Sequence, residues 1–131
     1  VGTDIIQVNW LKKSLKKKLF LSRIFNDKEI IRCKRTKKNS NCFAKRFAAK
    51  EAFSKALGTG IAKGISFNEI AVLNKKNGKP YIRLLDKTKK IVDKKLKKRN
   101  YKISLSIADE KKYAVAFVTI TIWKKKIICT F

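Results

Sequence analysis

Three side chains in an alanine-rich segment and the glycine that follows it offer the first chemistry in this chain. Across residues 43–57 (FAKRFAAKEAFSKAL) good helix formers run without Gly or Pro, and Gly58 follows as a stop. On a helix, Glu51, Ser54, Lys55 and Gly58 fall at i, i+3, i+4 and i+7 and share one face. Ala49, Phe53, Ala56 and Leu57 take the opposite face. A carboxylate, a hydroxyl and an ammonium in one row can hold a metal-bound phosphate, the carboxylate on the cation and Ser and Lys on phosphate oxygens. Gly58 at the end of the row lets another group approach. The same row also reads as a solvated face with an ordinary Glu51–Lys55 pair, and geometry alone favours that reading.

The elements that must position this row follow from pattern. Residues 3–8 read as a strand end. Residues 10–22 place Leu11, Leu15 and Leu19 at i, i+4, i+8 between lysines, which predicts one amphipathic helix. A short helix over 27–35 follows an Asn26-Asp27 cap, and 36–41 reads as a polar loop. Residues 66–73 predict a strand, Asn77-Gly78-Lys79-Pro80 a turn, and 81–85 its hairpin partner. A Lys-rich helix over 87–99 turns Ile91 and Leu96 inward. Strands over 101–107 and 113–122 complete an α+β order in one small domain, residues 1–123, with an antiparallel sheet packed by helices. Gly58-Thr59-Gly60 and Gly64 suggest a flexible turn, and the tail 124–131 has no reading.

Composition bounds the chemistry. The chain has 131 residues, the size of one compact domain, and 44% are hydrophobic, enough for a core. It has 35 Lys+Arg against 9 Asp+Glu, a formal net charge of +26. Nucleic acid, an anionic membrane surface or an acidic protein with an anionic cofactor would each suit that surplus. A lysine-rich coding bias would fill solvated faces equally well. Lys outweighs Arg, and no zinc finger or aromatic RNA-binding motif is present, which argues against a nucleic-acid domain. With no His, Ser-His-Asp and Cys-His machinery and His-ligated metals are excluded. Cys33, Cys42 and Cys129 show no C-x-x-C spacing, which predicts free thiols in a reducing, cytoplasmic compartment. No uncharged apolar run is long enough to span a bilayer. The absence of Met, with Val1 first, suggests that residues preceding Val1 are missing.

The stretch Arg46-Phe-Ala-Ala-Lys-Glu-Ala-Phe-Ser-Lys-Ala-Leu-Gly-Thr-Gly-Ile61 closely resembles the signature of the holo-[acyl-carrier-protein] synthases, the 4′-phosphopantetheinyl transferases of fatty-acid synthesis. Other segments agree in order. Gly2-Thr3-Asp4-Ile5 is similar to that family's N-terminal G-x-D-[IV], and Arg23-Ile24-Phe25 to its R-[IV]-[FL]. Residues 66–70 followed by Asn77-Gly78-Lys79-Pro80 resemble its strand and GKP turn, and Leu105-Ser106-Ile107 through Val118 its last two strands. The resemblance covers nearly the whole chain.

It implies the 4′-phosphopantetheinyl transferase fold and transfer of phosphopantetheine from coenzyme A to a serine of an acidic acyl carrier protein, giving 3′,5′-ADP. It implies Mg²⁺ on Asp4 and Glu51, and coenzyme A lined by Arg46, Lys50, Ser54, Lys55, Gly58 and Pro80, with Asp4, Glu51 and Lys55 catalytic. It also implies a cytoplasmic homotrimer with sites shared between adjacent subunits, and no nucleic-acid partner. Arg46, projecting to the apolar side of its helix, would have to reach a neighbouring element or another subunit. The carrier is expected to dock near residues 10–23. Trp10 stands where the family commonly has an Arg that meets the carrier, so Lys12 or Lys13 would substitute. The family's frequent Ser-His falls on Ala108-Asp109. The alternatives are a transferase for a different carrier protein and a basic nucleic-acid-binding module without catalysis.

Overall fold

The computed structural model describes residues 1–58, 64–97 and 99–123. Its elements run β1 (Gly2–Gln7), α1 (Val8–Ser14), α2 (Phe20–Ile24), α3 (Asp27–Lys34), α4 (Asn39–Leu57), a 3₁₀ turn (Phe67–Glu69), β2 (Ile70–Asn74), β3 (Pro80–Leu84), α5 (Asp86–Lys95), β4 (Asn100–Asp109) and β5 (Tyr113–Trp123). The strands form an antiparallel sheet in the order β1-β5-β4 and a separate antiparallel hairpin, β2-β3. The expected α+β domain is present, and the tail expected over 124–131 lies outside the described residues.

Small residues make the central packing close. Ala44, Ala48, Ala49 and Ala52 of α4 are buried, as are Ala114, Ala116 and Val118 of β5, and α4 packs across β1 and β5. A Cβ added at Gly2 would stand 1.9 Å from the Ala52 carbonyl oxygen, so only glycine lets β1 lie so near the helix. Phe53, Phe25 and Leu11 are fully buried, and each such side chain contributes about 1.5–3 kcal/mol by leaving water. The outer face of the sheet is different. Period-two alternation turns Ile5 of β1 and Tyr113, Val115 and Phe117 of β5 to solvent, with Ile5 66% exposed.

Local signals explain most boundaries and the departures from expectation. Asn26 and Glu29 form a reciprocal capping box that starts α3. Gly58 ends α4 at φ +86°, its N–H donating to the Ser54 and Lys55 carbonyls, as its position suggested. The single helix expected over 10–22 is two helices. Leu19 takes a positive φ of 74° and is 55% exposed, so it does not continue the Leu11–Leu15 stripe. The loop expected over 36–41 is shorter, because α4 already begins at Asn39. The strand expected from 66 starts with the 3₁₀ turn. The helix expected over 87–99 stops at Lys95, before Lys97 at φ 54°, with Leu96 buried and Ile91 half-buried as anticipated. The glycine turn over 59–63 lies outside the described residues.

One expectation is overturned outright. Cys33 and Cys42 are not free thiols but a disulfide, with their Cα atoms 5.4 Å apart. Packing of α3 against α4 brings the end of one helix beside the start of the other, a proximity that no spacing motif announces. The thiol argument for a reducing compartment therefore falls. No helix among the described residues is long and apolar enough to cross a membrane.

Candidate functional site

Alternation along β1 sends Gly2, Asp4 and Ile6 toward α4, and the close approach at Gly2 sets Asp4 beside the helix. One turn of α4 then presents Glu51 and Lys55 at i, i+4. The Lys55 ammonium donates to Asp4 Oδ1 at 3.0 Å and to the Thr3 carbonyl at 3.1 Å. Asp4, Glu51 and Lys55 line one open pocket of about 390 Å³ with Gln7, Trp10 and Phe47. Trp10 meets the Phe47 ring edge-on at 5.5 Å, giving the pocket an aromatic wall. Burial raises the Glu51 carboxyl above the usual carboxylate range, and the negative Asp4 adds to the rise while Lys55 opposes it. Two carboxylates that repel each other in an open pocket are a donor set for a hard cation. Among the described residues no cluster of three His, Cys, Asp or Glu side chains could hold a metal.

The remaining candidates divide. Ser54 does not share the open face that helix projection assigned it. It is buried, its hydroxyl donating back to the Lys50 carbonyl at 3.1 Å. Lys50 is fully buried and turned away from the pocket. Its ammonium donates to Glu29 Oε1 at 2.7 Å and to the Phe67 and Ile70 carbonyls at 2.8 and 2.5 Å. Burial lowers Lys50 to about 8, against the pull of Glu29. Glu29 is saturated as well, accepting from the backbone N–H groups of Asn26 and Val72. A projection separates helix faces but does not say which face α3 and the hairpin will cover. The N-x-x-E spacing of Asn26 and Glu29 is a cap signal; nothing in the sequence pairs Glu29 with Lys50.

Arg46 reaches a neighbouring element, one of the two destinations expected for it. Nη2 donates to Asn74 Oδ1 of β2 at 2.7 Å and Nη1 to the Cys42 carbonyl at 3.2 Å. Burial holds its guanidinium below the ordinary arginine value, Glu29 opposing and Arg32 assisting. Arg46 and Pro80 line a second cleft of about 610 Å³ with Lys38, Lys45, Asn74 and Asp109. Asp109 is engaged by Asn41 at 2.9 Å and Lys45 at 3.4 Å. Gly58 is exposed and open above its position, with nothing within 4 Å of an added Cβ. The two clefts share no lining residue. One lies against β1 and the other against β4, at opposite edges of the sheet.

Comparison with known proteins agrees with this architecture. The family profile of the ACPS 4′-phosphopantetheinyl transferase superfamily matches residues 1–118. The chain is 47% identical over 118 residues to the holo-[acyl-carrier-protein] synthase of Pelagibacter ubique, covering 90% of this chain and 92% of that one. It is similar to the crystal structure of the Neisseria meningitidis holo-[acyl-carrier-protein] synthase, with a TM-score of 0.80, 34% identity, and coverage of 94% and 96%. It is also similar to the Helicobacter pylori synthase solved in complex with coenzyme A, with a TM-score of 0.77, 32% identity, and coverage of 92% and 98%.

Proposed function

The chain belongs to the 4′-phosphopantetheinyl transferase superfamily and is an enzyme of the holo-[acyl-carrier-protein] synthase kind, and from that premise we propose that it transfers 4′-phosphopantetheine from coenzyme A to a serine of an apo acyl carrier protein, releasing 3′,5′-ADP, with Mg²⁺ required. The observation that carries the reading is the meeting of Asp4, Glu51 and Lys55 in one open pocket.

Asp4 and Glu51 would hold the ion, and water and co-substrate phosphate would supply its remaining oxygen ligands. When bound, Mg²⁺ neutralises charge on the pyrophosphate and on the departing nucleotide. The Lys55 ammonium, already 3.0 Å from Asp4, stands where it can also meet a phosphate oxygen and stabilise charge as the serine oxygen attacks the β-phosphorus. The bond from that phosphorus to the bridging oxygen breaks, and 3′,5′-ADP leaves.

Arg46 and Pro80 belong to the second cleft, whose lysines suit an anionic nucleotide. Because that cleft sits at the other edge of the sheet, a complete site would take one cleft from each of two copies. The exposed apolar face of Ile5, Val115 and Phe117 supports such an assembly, which we read as a homotrimer. Lys50 and Ser54 act in this reading from behind the site, as core groups that hold α4 in place. Acidic carriers suit the lysines of α1 and the turn after it. The compartment in this reading is the cytoplasm, where a coenzyme A-dependent enzyme meets its co-substrate. A nucleic-acid surface gives no reason for two carboxylates in one pocket.

The test is a mass spectrum of apo acyl carrier protein after incubation with this protein, coenzyme A and Mg²⁺, with an EDTA control. A gain of one phosphopantetheine that EDTA abolishes is expected. No gain with any carrier overturns the reading.

A further inference from the structure

The Cys33–Cys42 disulfide does more than join two helices. Cys33 lies in the last turn of α3 and Cys42 in the first turn of α4, and the exposed, cationic residues 34–38 run between them. Both sulfurs are buried. Cys42 Sγ accepts a hydrogen bond from Arg46 Nη1 at 3.2 Å, one helical turn further along α4. The same Nη1 donates to the Cys42 carbonyl, and Nη2 is fixed on Asn74. Arg46 is only 3% exposed, yet its Nε has no hydrogen-bond partner among the described residues. Arg46 also lines a cleft with Lys38, Lys45 and Cys42 itself, a cationic wall suited to an anion.

We propose that Cys33 and Cys42 are a positioning pair for Arg46, and that their oxidation state sets how tightly the cleft holds the nucleotide end of coenzyme A. The proposal rests on the functional reading above. In the oxidised form the disulfide pins Cys42 Sγ in one orientation as an acceptor and ties down the turn that carries Lys37 and Lys38. A dithiol reductant breaks the S–S bond. Two electrons and two protons pass to Cys33 and Cys42 as two thiols, and the dithiol leaves as its own disulfide. The Cys42 sulfur is then free to turn about its Cα–Cβ bond, and its S–H competes as a donor where Arg46 needs an acceptor. The turn over residues 34–38 loses its covalent tie at the same moment. Arg46 keeps the Cys42 carbonyl and Asn74 but loses the sulfur contact on Nη1, one of its three hydrogen bonds.

The probe is 3′,5′-ADP, which contains the nucleotide and no thiol. Its binding to the wild-type chain is titrated before and after reduction by a dithiol, with intact mass and thiol alkylation verifying the oxidation state. The oxidised form is expected to bind about fivefold to tenfold more tightly, the scale of one charge-assisted contact among several. In turnover the difference appears in KM for coenzyme A and not in kcat at saturation or in KM for the carrier. Cys33→Ser is expected to bind like the reduced chain and to ignore reductant. Arg46→Ala is expected to bind weakly with no redox difference, which a general loosening of the fold would not produce. Equal binding by verified oxidised and reduced wild type overturns the proposal alone. A redox difference that survives in Arg46→Ala overturns the role given to Arg46. Absence of binding by either form removes the functional reading as well.

Discussion

Two lysine–carboxylate pairs sit five residues apart on α4, and their surroundings give them opposite work. Lys50 and Glu29 meet at 2.7 Å with both side chains 0% exposed. Lys55 and Asp4 meet at 3.0 Å, with Lys55 53% and Asp4 16% exposed. The buried pair is saturated by backbone groups of the 3₁₀ turn, β2 and α3, so neither member can turn to a ligand. In the pocket pair Lys55 has only Asp4 and the Thr3 carbonyl and lies open beside Glu51, so an incoming cation or phosphate can rearrange it. The charge chemistry is the same in both. Water access decides which pair is scaffold and which is available to a substrate.

The contrast is broken most forcefully from the buried side. Lys50→Met leaves Glu29 charged and unpaired in the core, and denaturant unfolding is expected to show a loss of about 3–5 kcal/mol. Adding Glu29→Gln should restore a large part of it. Lys50 titrates near 8 in the fold and at an ordinary 10.5 when unfolded. The cost of its buried charge is complete below about 8 and disappears as pH rises toward 10.5. The wild type should therefore gain stability relative to the double variant across that window, and paired melts at pH 7.5 and 9.5 test the sign.

On the open side, Glu51→Gln should leave stability almost unchanged while Mg²⁺-dependent turnover falls by about 10². Unchanged turnover would remove Glu51 from the metal site. Reversing Lys12 and Lys13 to Glu should lower kcat/KM for an acidic carrier by roughly tenfold, with less salt dependence and unaltered coenzyme A binding. Equal movement of both parameters would place the carrier elsewhere. The smallest effect belongs to a third pair. Lys89 and Asp93 on α5 meet at 2.8 Å near the Tyr101 hydroxyl, at the surface. Lys89→Met should cost only a few tenths of a kcal/mol in a thermal melt, because solvent screens the pair.

Much of the positioning was legible in the sequence for identifiable reasons. The alanine-rich helix, its Gly58 stop and the Asn77-Gly78 turn are local signals, and local signals need no knowledge of the fold. Glu51 and Lys55 follow from helical spacing. Asp4 follows only from the family resemblance, because its approach to α4 depends on the missing side chain at Gly2. Burial of Lys50 and Ser54 was illegible, since a helix with apolar neighbours on nearly every side has no face marked as solvent. The disulfide was hidden for a related reason: residues 33 and 42 become neighbours only once α3 turns back onto α4. Leu19 kept the right helical spacing, but its backbone takes a positive φ that spacing does not report.

The seam between α4, β1 and β5 carries a consequence for how this chain can change over generations. Gly2, Ala52, Ala114 and Ala116 are already at or near the minimum size a residue can have, and they bring the strand carrying Asp4 against the helix carrying Glu51. Elsewhere in the core a mutation can shrink a side chain or enlarge it. Here nearly every available exchange is an enlargement, with overpacking costs of about 1–3 kcal/mol and a shift of the strand itself. Substitutions at this seam are therefore expected to be tolerated less well than exchanges on the lysine-covered surface away from the site.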